Sequence, residues 1–160
     1  MDGARRQLID NIRIAISAKK SEPEVLKTAV EIINDFSDGF SWTGVYMMKN
    51  GVLEVGPYVG PETPHTRIPL NSGICGAAAS QKKSLIVEDV TADPRFLACS
   101  PHTKSEIVVP LMDGDMVLGE IDIDSNQRGF FSLDDKKMFE EIAATLVKRL
   151  KEIRKRTVKK

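Results

Sequence analysis

Two thiols, a few acids and a pair of aromatic residues are the groups in this chain whose types and spacing could do chemistry. Cys99 lies in DPRFLACSPHTK, behind Leu97 and Ala98 and ahead of small and polar residues. Glu106 follows seven positions later at the mouth of the apolar run 107–111. A loop thiol near a positive charge is depressed in pKa and available as thiolate. Arg95 and Lys104 are the nearest cations in sequence. A thiol packed among apolar neighbours is inert. Both readings stand for Cys99 and for Cys75, the second cysteine, which sits in Gly-Ile-Cys-Gly. Cys75, Cys99, His65 and His102 match no zinc-ligand spacing, so no metal is expected.

The acids are patterned. In a strand reading Glu-Ile-Asp-Ile-Asp over 120–124, side chains alternate between faces, so Asp122 and Asp124 share one side and Ile121 and Ile123 the other. If the isoleucines face helices, the acids face away, beneath the long segments 56–72 and 88–104. Glu106 starts the neighbouring strand of the same hairpin and falls near Asp124 across the ladder. Carboxyl groups gathered in a covered pocket raise at least one pKa and keep a proton available near neutral pH. A solvated acidic edge has the same pattern. Trp42 and Tyr46 share a strand face with Gly44, which suits either the lining of a small-ligand pocket or plain packing.

The elements that must hold these groups are legible in outline. Leu8, Ile9, Ile12 and Ile16 recur at helical spacing. Ser21-Glu-Pro-Glu24 has the form of a capping box and opens a second helix carrying Val25, Leu26, Ala29, Val30, Ile33 and Phe36. The period then changes to two over 41–60, around Asn50-Gly51, the strongest short hairpin signal. A looser stretch with three prolines follows. SGICGAAASQKK reads as a short helix entered through Gly73, and SLIVEDV as a short buried strand. TADPRFLACSPHTK is a long loop, a length often tied to function. Residues 106–124 form a second hairpin about Asp113-Gly114-Asp115. Ser132 to Asp135 caps a long final helix with Met138, Phe139, Ile142, Leu146, Leu150 and Ile153 on one face. Hairpins with helices gathered at both ends predict an α+β fold, an antiparallel sheet with the helices on one face. The terminal helices could pair with each other and with a second copy.

Composition narrows the class. The 160 residues suit one domain. A hydrophobic fraction of 41% supplies a core without staples. The 23 basic and 23 acidic residues cancel, which gives no general pull toward nucleic acid or an anionic membrane. The basic tail 148–160 lacks the interleaved aromatics of a single-strand binder. The first twenty residues are broken by Arg5, Arg6, Asp10 and Arg13, and no apolar run reaches bilayer length, so a cytoplasmic protein is expected. There a cysteine pair is more often transient and catalytic or redox-sensing than structural.

Taken in order, W-T-G-V-Y, T-R-I-P, G-I-C-G-A-A-A, I-V-E-D-V, F-L-A-C-S, S-E-I-V-V-P-L and G-E-I-D-I-D-S resemble a GAF domain. More narrowly they resemble the free methionine-(R)-sulfoxide reductases, most strongly over 40–150. The resemblance implies a single GAF domain over 1–160. It implies a six-stranded antiparallel sheet, with the N- and C-terminal helices on one face and a loop-covered ligand pocket on the other. It implies that Cys99 matches the catalytic cysteine and Cys75 the cysteine of the family's G-x-C-G. Glu106, Asp122 and Asp124 match the acids around the substrate, with Glu106 or Asp124 as proton donor, and Trp42 and Tyr46 match the pocket aromatics. The implied reaction is thiol reduction of free methionine (R)-sulfoxide through a sulfenic acid and a disulfide, recycled by a thioredoxin-like reductant, with no cofactor. A homodimer through the terminal helices goes with this reading. The family commonly has a third cysteine two residues before R-I-P, where this chain has His65. That leaves Cys75 or an external thiol to resolve the sulfenic acid. It also leaves open a sensory binding module, or a cysteine-pair redox sensor without turnover.

Overall fold

The computed structural model describes residues 1–96 and 100–158. Element order is α1 (Gly3–Ser17), α2 (Glu22–Asn34), β1 (Trp42–Lys49), β2 (Val52–Val59), β3 (Arg67–Pro69), α3 (Gly73–Gln81), β4 (Leu85–Val87), β5 (Ser105–Asp113), β6 (Met116–Ser125) and α4 (Leu133–Val158), with one 3₁₀ turn at Val90–Ala92. The strands form one antiparallel sheet in the order β3-β2-β1-β6-β5-β4. This is the α+β arrangement expected.

Local chemistry explains most of the boundaries. Asn50 and Gly51 both adopt positive φ, 51° and 78°. A type I′ turn between β1 and β2 requires this at both central positions. Ser132 and Asp135 exchange backbone-to-side-chain hydrogen bonds of 2.8 and 3.1 Å. They form a complete capping box at the start of α4. At α2 the Ser21 hydroxyl accepts from the Glu24 amide, but the Glu24 carboxylate reaches back to the amide of Lys20 instead of Ser21.

The proline-rich stretch is more ordered than its composition predicts. β2 runs on to Val59, and Arg67–Pro69 forms an edge strand. Gly44 pairs with Tyr58 and Tyr46 with Val55, so β2 carries one extra residue opposite Val45. Gly56 and Pro57 occupy that bulge, where a residue without an N–H is tolerated.

α2 and α4 lie on one face of the sheet, and α1 packs on those two helices as an outer layer. The core between them holds Val45, Ile107, Val109, Ile121 and Ile123 from the strands, with Ile12, Ile33, Met138, Phe139, Ile142 and Leu146 from the helices. α3 packs against β3, β5 and β6. It belongs to the second apolar cluster, which holds Trp42, Tyr46, Val108, Ile74, Cys75 and Ala78. No helix among the described residues is long and apolar enough to cross a membrane.

Candidate active site

The second face of the sheet carries the candidate aromatic and acidic residues, and alternation along three strands puts them there. Trp42, Gly44 and Tyr46 on β1 stand opposite Asp124, Asp122 and Glu120 on β6. Asp124 in turn stands opposite Glu106 on β5, Asp122 opposite Val108 and Glu120 opposite Pro110. A row of aromatics thus runs alongside a row of acids.

The aromatic row is packed as a unit. The Trp42 ring stacks on Tyr58 at 5.2 Å and on Tyr46 at 6.1 Å between centroids. Both separations lie in the range where aromatic pairs attract. Gly44 makes this possible: a Cβ there would lie 2.5 Å from the Trp42 ring and 2.7 Å from the Tyr58 Cβ. The Tyr46 hydroxyl donates to the backbone carbonyl of His65 at 3.0 Å, which ties the segment between β2 and β3 down onto the pocket.

All four acids are buried, with Glu120 at 0% and Asp122 at 3% exposure. Both Glu120 carboxylate oxygens, Oδ1 of Asp122, Oδ1 of Asp124 and the Trp42 indole N–H lack a hydrogen-bond partner of good geometry among the described residues. Buried polar groups are normally satisfied, so this concentration on one face marks a place built for a partner. Burial, then the charges of Asp122 and Asp124, holds Glu106 well above the usual carboxylate range. Burial followed by Asp122 does the same to Glu120 and Asp124. Asp122 is raised by burial as well, while interactions with Glu106 and Cys75 hold it back. Four dry carboxyl groups side by side cannot all ionise, so the cluster keeps protons near neutral pH.

Cys75 sits in the first turn of α3, with its sulfur facing the acids. Sγ and one oxygen each from Glu106 and Asp122 lie within 4.8 Å of one another. Burial, and then the charges of Asp122, Glu120 and Glu106, push its thiol well above the usual range, so it rests as a neutral S–H. Tyr46, His65, Ile68, Gly73, Ile74, Cys75, Glu106 and Asp122 enclose a cavity of about 20 Å³ measured at the centres of a water-sized sphere. That is room for about one water.

The structure therefore brings together Trp42, Tyr46, Glu106, Asp122, Asp124 and Cys75. The acids are a buried cluster and not a solvated edge, Cys75 is buried, Tyr46 lines the small cavity, and Trp42 packs against Tyr46 and Tyr58. Cys99 lies outside the described residues. The cover over the acids includes α3, and His65 from the segment between β2 and β3 lines the cavity beside Glu106 and Asp122. The sequence reading missed Glu120, although its position two residues before Asp122 puts it on the same face, and it missed Tyr58, which only the β2 bulge brings round to Trp42.

The GAF domain family matches residues 22–150. Over 108 residues the chain is 39% identical to GAF domain-containing protein A of Dictyostelium discoideum, covering 67% of this chain and 68% of that protein. It is 34% identical, also over 108 residues, to the free methionine-R-sulfoxide reductase of Escherichia coli; that match spans 68% of this chain and 65% of that protein. The solved structure of the free methionine-R-sulfoxide reductase of Neisseria meningitidis in complex with its substrate superposes with a TM-score of 0.91 at 30% identity, covering 97% of this chain and 94% of that one.

Proposed function

The chain belongs to the GAF domain family, in the group of the free methionine-R-sulfoxide reductases, and on that premise we propose that it reduces free L-methionine (R)-sulfoxide to methionine. The observation that carries the reading is the buried row of acids with unpartnered oxygens beside an aromatic wall and a thiol. Carboxylates there suit the substrate's ammonium group, and Trp42 and Tyr46 suit its methyl and thioether.

In this mechanism the Cys99 sulfur attacks the sulfoxide sulfur. The oxygen leaves sulfur only as it gains a proton, and Glu106 or Asp124, still protonated because it is buried among other acids, supplies one. The oxygen ends on Cys99 as a sulfenic acid and methionine departs. Cys75, the other thiol of the chain, then attacks the sulfenic acid, a disulfide forms and water leaves. A neutral thiol attacks slowly, so the Cys75 proton must go somewhere. A carboxylate of Glu106 or Asp122, within 4.8 Å of Sγ, stands ready to take it. That proton passes on to the departing sulfenic oxygen, which leaves as water, and the acid that protonated the sulfoxide takes its own proton back from solvent. A cytoplasmic thioredoxin-like dithiol reduces the disulfide by exchange. A homodimer through the terminal helices is a further expectation of this reading, although α1 and α4 already pack on each other within one chain.

The test is methionine release from the separate (R) and (S) forms of free methionine sulfoxide, with thioredoxin and then dithiothreitol. Turnover of (R) with both reductants supports the full cycle, with Cys75 as resolving thiol. Turnover with dithiothreitol alone keeps the Cys99 chemistry and removes the thioredoxin route. No methionine under either condition overturns the reading in favour of a binding module.

A further inference from the structure

We infer that Cys75, Glu106 and Asp122 form a binding site for one zinc-class divalent cation. The site is a different use of the pocket from the reaction proposed above.

The donors come from three elements, α3, β5 and β6, so the fold and not a local motif sets their spacing. This is why a search for cysteine and histidine spacings finds nothing. One donor atom from each lies within 4.8 Å of the others. Around a zinc ion with bonds of about 2.0–2.3 Å, tetrahedral ligands stand about 3.5 Å apart, so a contraction of about 1 Å seats the ion.

A second observation points to a ligand independently of the clustering. Asp122 Oδ1 is buried without a hydrogen-bond partner among the described residues, as are both oxygens of Glu120 next along the strand face and one of Asp124. A dry carboxylate oxygen without a donor calls for a proton or a cation. The cavity that Cys75, Glu106 and Asp122 help to enclose, about 20 Å³, has room for a single ion or water.

Ligand chemistry selects the ion. Magnesium and calcium take all-oxygen shells, whereas a thiolate beside two carboxylates suits a borderline ion such as Zn²⁺. Three protein ligands leave a fourth position for water. Binding displaces the Cys75 proton, and the two carboxylates and the thiolate exceed the ion's charge by one.

The experiment titrates Cd²⁺, as a spectroscopic stand-in for Zn²⁺, into the full chain carrying Cys99→Ser, in which Cys75 is the sole thiol. A thiolate-to-Cd²⁺ charge-transfer band should rise and saturate at one ion per chain. Adding Cys75→Ser should abolish it. Adding Asp122→Asn or, separately, Glu106→Gln should weaken binding at least about tenfold, since even groups behind metal ligands cost that much when lost. No band, or a band whose midpoint ignores both acid substitutions, overturns the inference. A melting curve without metal establishes that each variant is folded, and either acid variant suffices. Competition between the ion and the substrate ammonium rests on the function proposed above. The titration does not, because it reads metal binding in a chain that lacks the attacking cysteine.

Discussion

The two faces of this sheet are made by the same strands, one residue out of step, and they are buried to the same degree. On the face beneath α2 and α4, Val45, Ile107, Val109, Ile121 and Ile123 meet apolar helix residues. On the other, Trp42, Tyr46, Glu106, Glu120, Asp122 and Asp124 are equally inaccessible, yet most of the described residues' buried polar atoms without partners are there. Burial alone does not distinguish a core from a site. What distinguishes them is whether the buried groups satisfy one another, and here one face contributes stability while the other holds buried polar groups without partners of good geometry.

The sharpest way to break the comparison is to move an acid across it. Ile123→Asp places a carboxylate against the helices with no partner, and the loss should exceed about 3 kcal/mol, enough to leave little folded chain in a denaturant melt. Ile123→Ala, which removes bulk without adding charge, should cost about 2–5 kcal/mol by the same melt. A cost under about 1 kcal/mol, below the usual range for such truncations, would mean that the helix-covered face is less tightly packed than described.

The opposite face should respond with the opposite sign. Glu120→Met keeps length and removes a buried carboxyl that has no hydrogen bond of good geometry and only the Cys75 thiol to offset its desolvation, so it should raise stability by about 1–3 kcal/mol. A loss of stability would mean that the interaction of Glu120 with the Cys75 thiol outweighs the cost of burying its carboxyl.

Acidity gives a graded version of the same contrast. Glu106, Glu120, Asp122 and Asp124 all have folded-state pKa values above their unfolded ones. Their favourable contribution is complete below the unfolded carboxylate range and is lost as pH climbs toward the folded values. The melting temperature should therefore fall as pH rises above the ordinary carboxylate range, and Glu120→Met with Asp122→Asn should flatten the slope. Asp2 and Asp89, lowered by hydrogen bonds from Arg5 and Thr91, act in the other direction but lie at the surface, where solvent screens them. A melting temperature that rises over the same pH change would contradict a protonated cluster.

The smallest effect belongs to the tie between wall and cover. Tyr46→Phe removes the bond to the His65 carbonyl. It should cost about 1 kcal/mol. It should also raise amide exchange in residues 60–66 more than in β1.

Much of this was legible in the sequence wherever a short-range rule decides. Asn50-Gly51 announces its turn through the φ values it permits, Ser132 and Asp135 announce a helix start, and Ile-Asp-Ile-Asp announces a two-faced strand. The cluster of Glu106 with Asp124 followed from hairpin register alone. Glu120 was overlooked because an acid beside a turn-proximal glycine reads as solvent-facing unless the alternation is carried one step further back. The order β3-β2-β1-β6-β5-β4 depends on which hairpin meets which, a long-range matter that no local pattern encodes. Tyr58 reached the pocket only through the bulge at Gly56 and Pro57, and Cys75 met the acids only because α3 folds over β5 and β6.

The strict alternation along β6 also guards the assembly of the sheet. A strand paired one residue out of register turns every side chain to the opposite face. In β6 this error would thrust Glu120, Asp122 and Asp124 among the helices while turning Ile121 and Ile123 away, so the misaligned sheet is heavily penalised from both sides. The acids that leave the finished pocket unsatisfied thus also disfavour any slip of this hairpin by an odd number of residues.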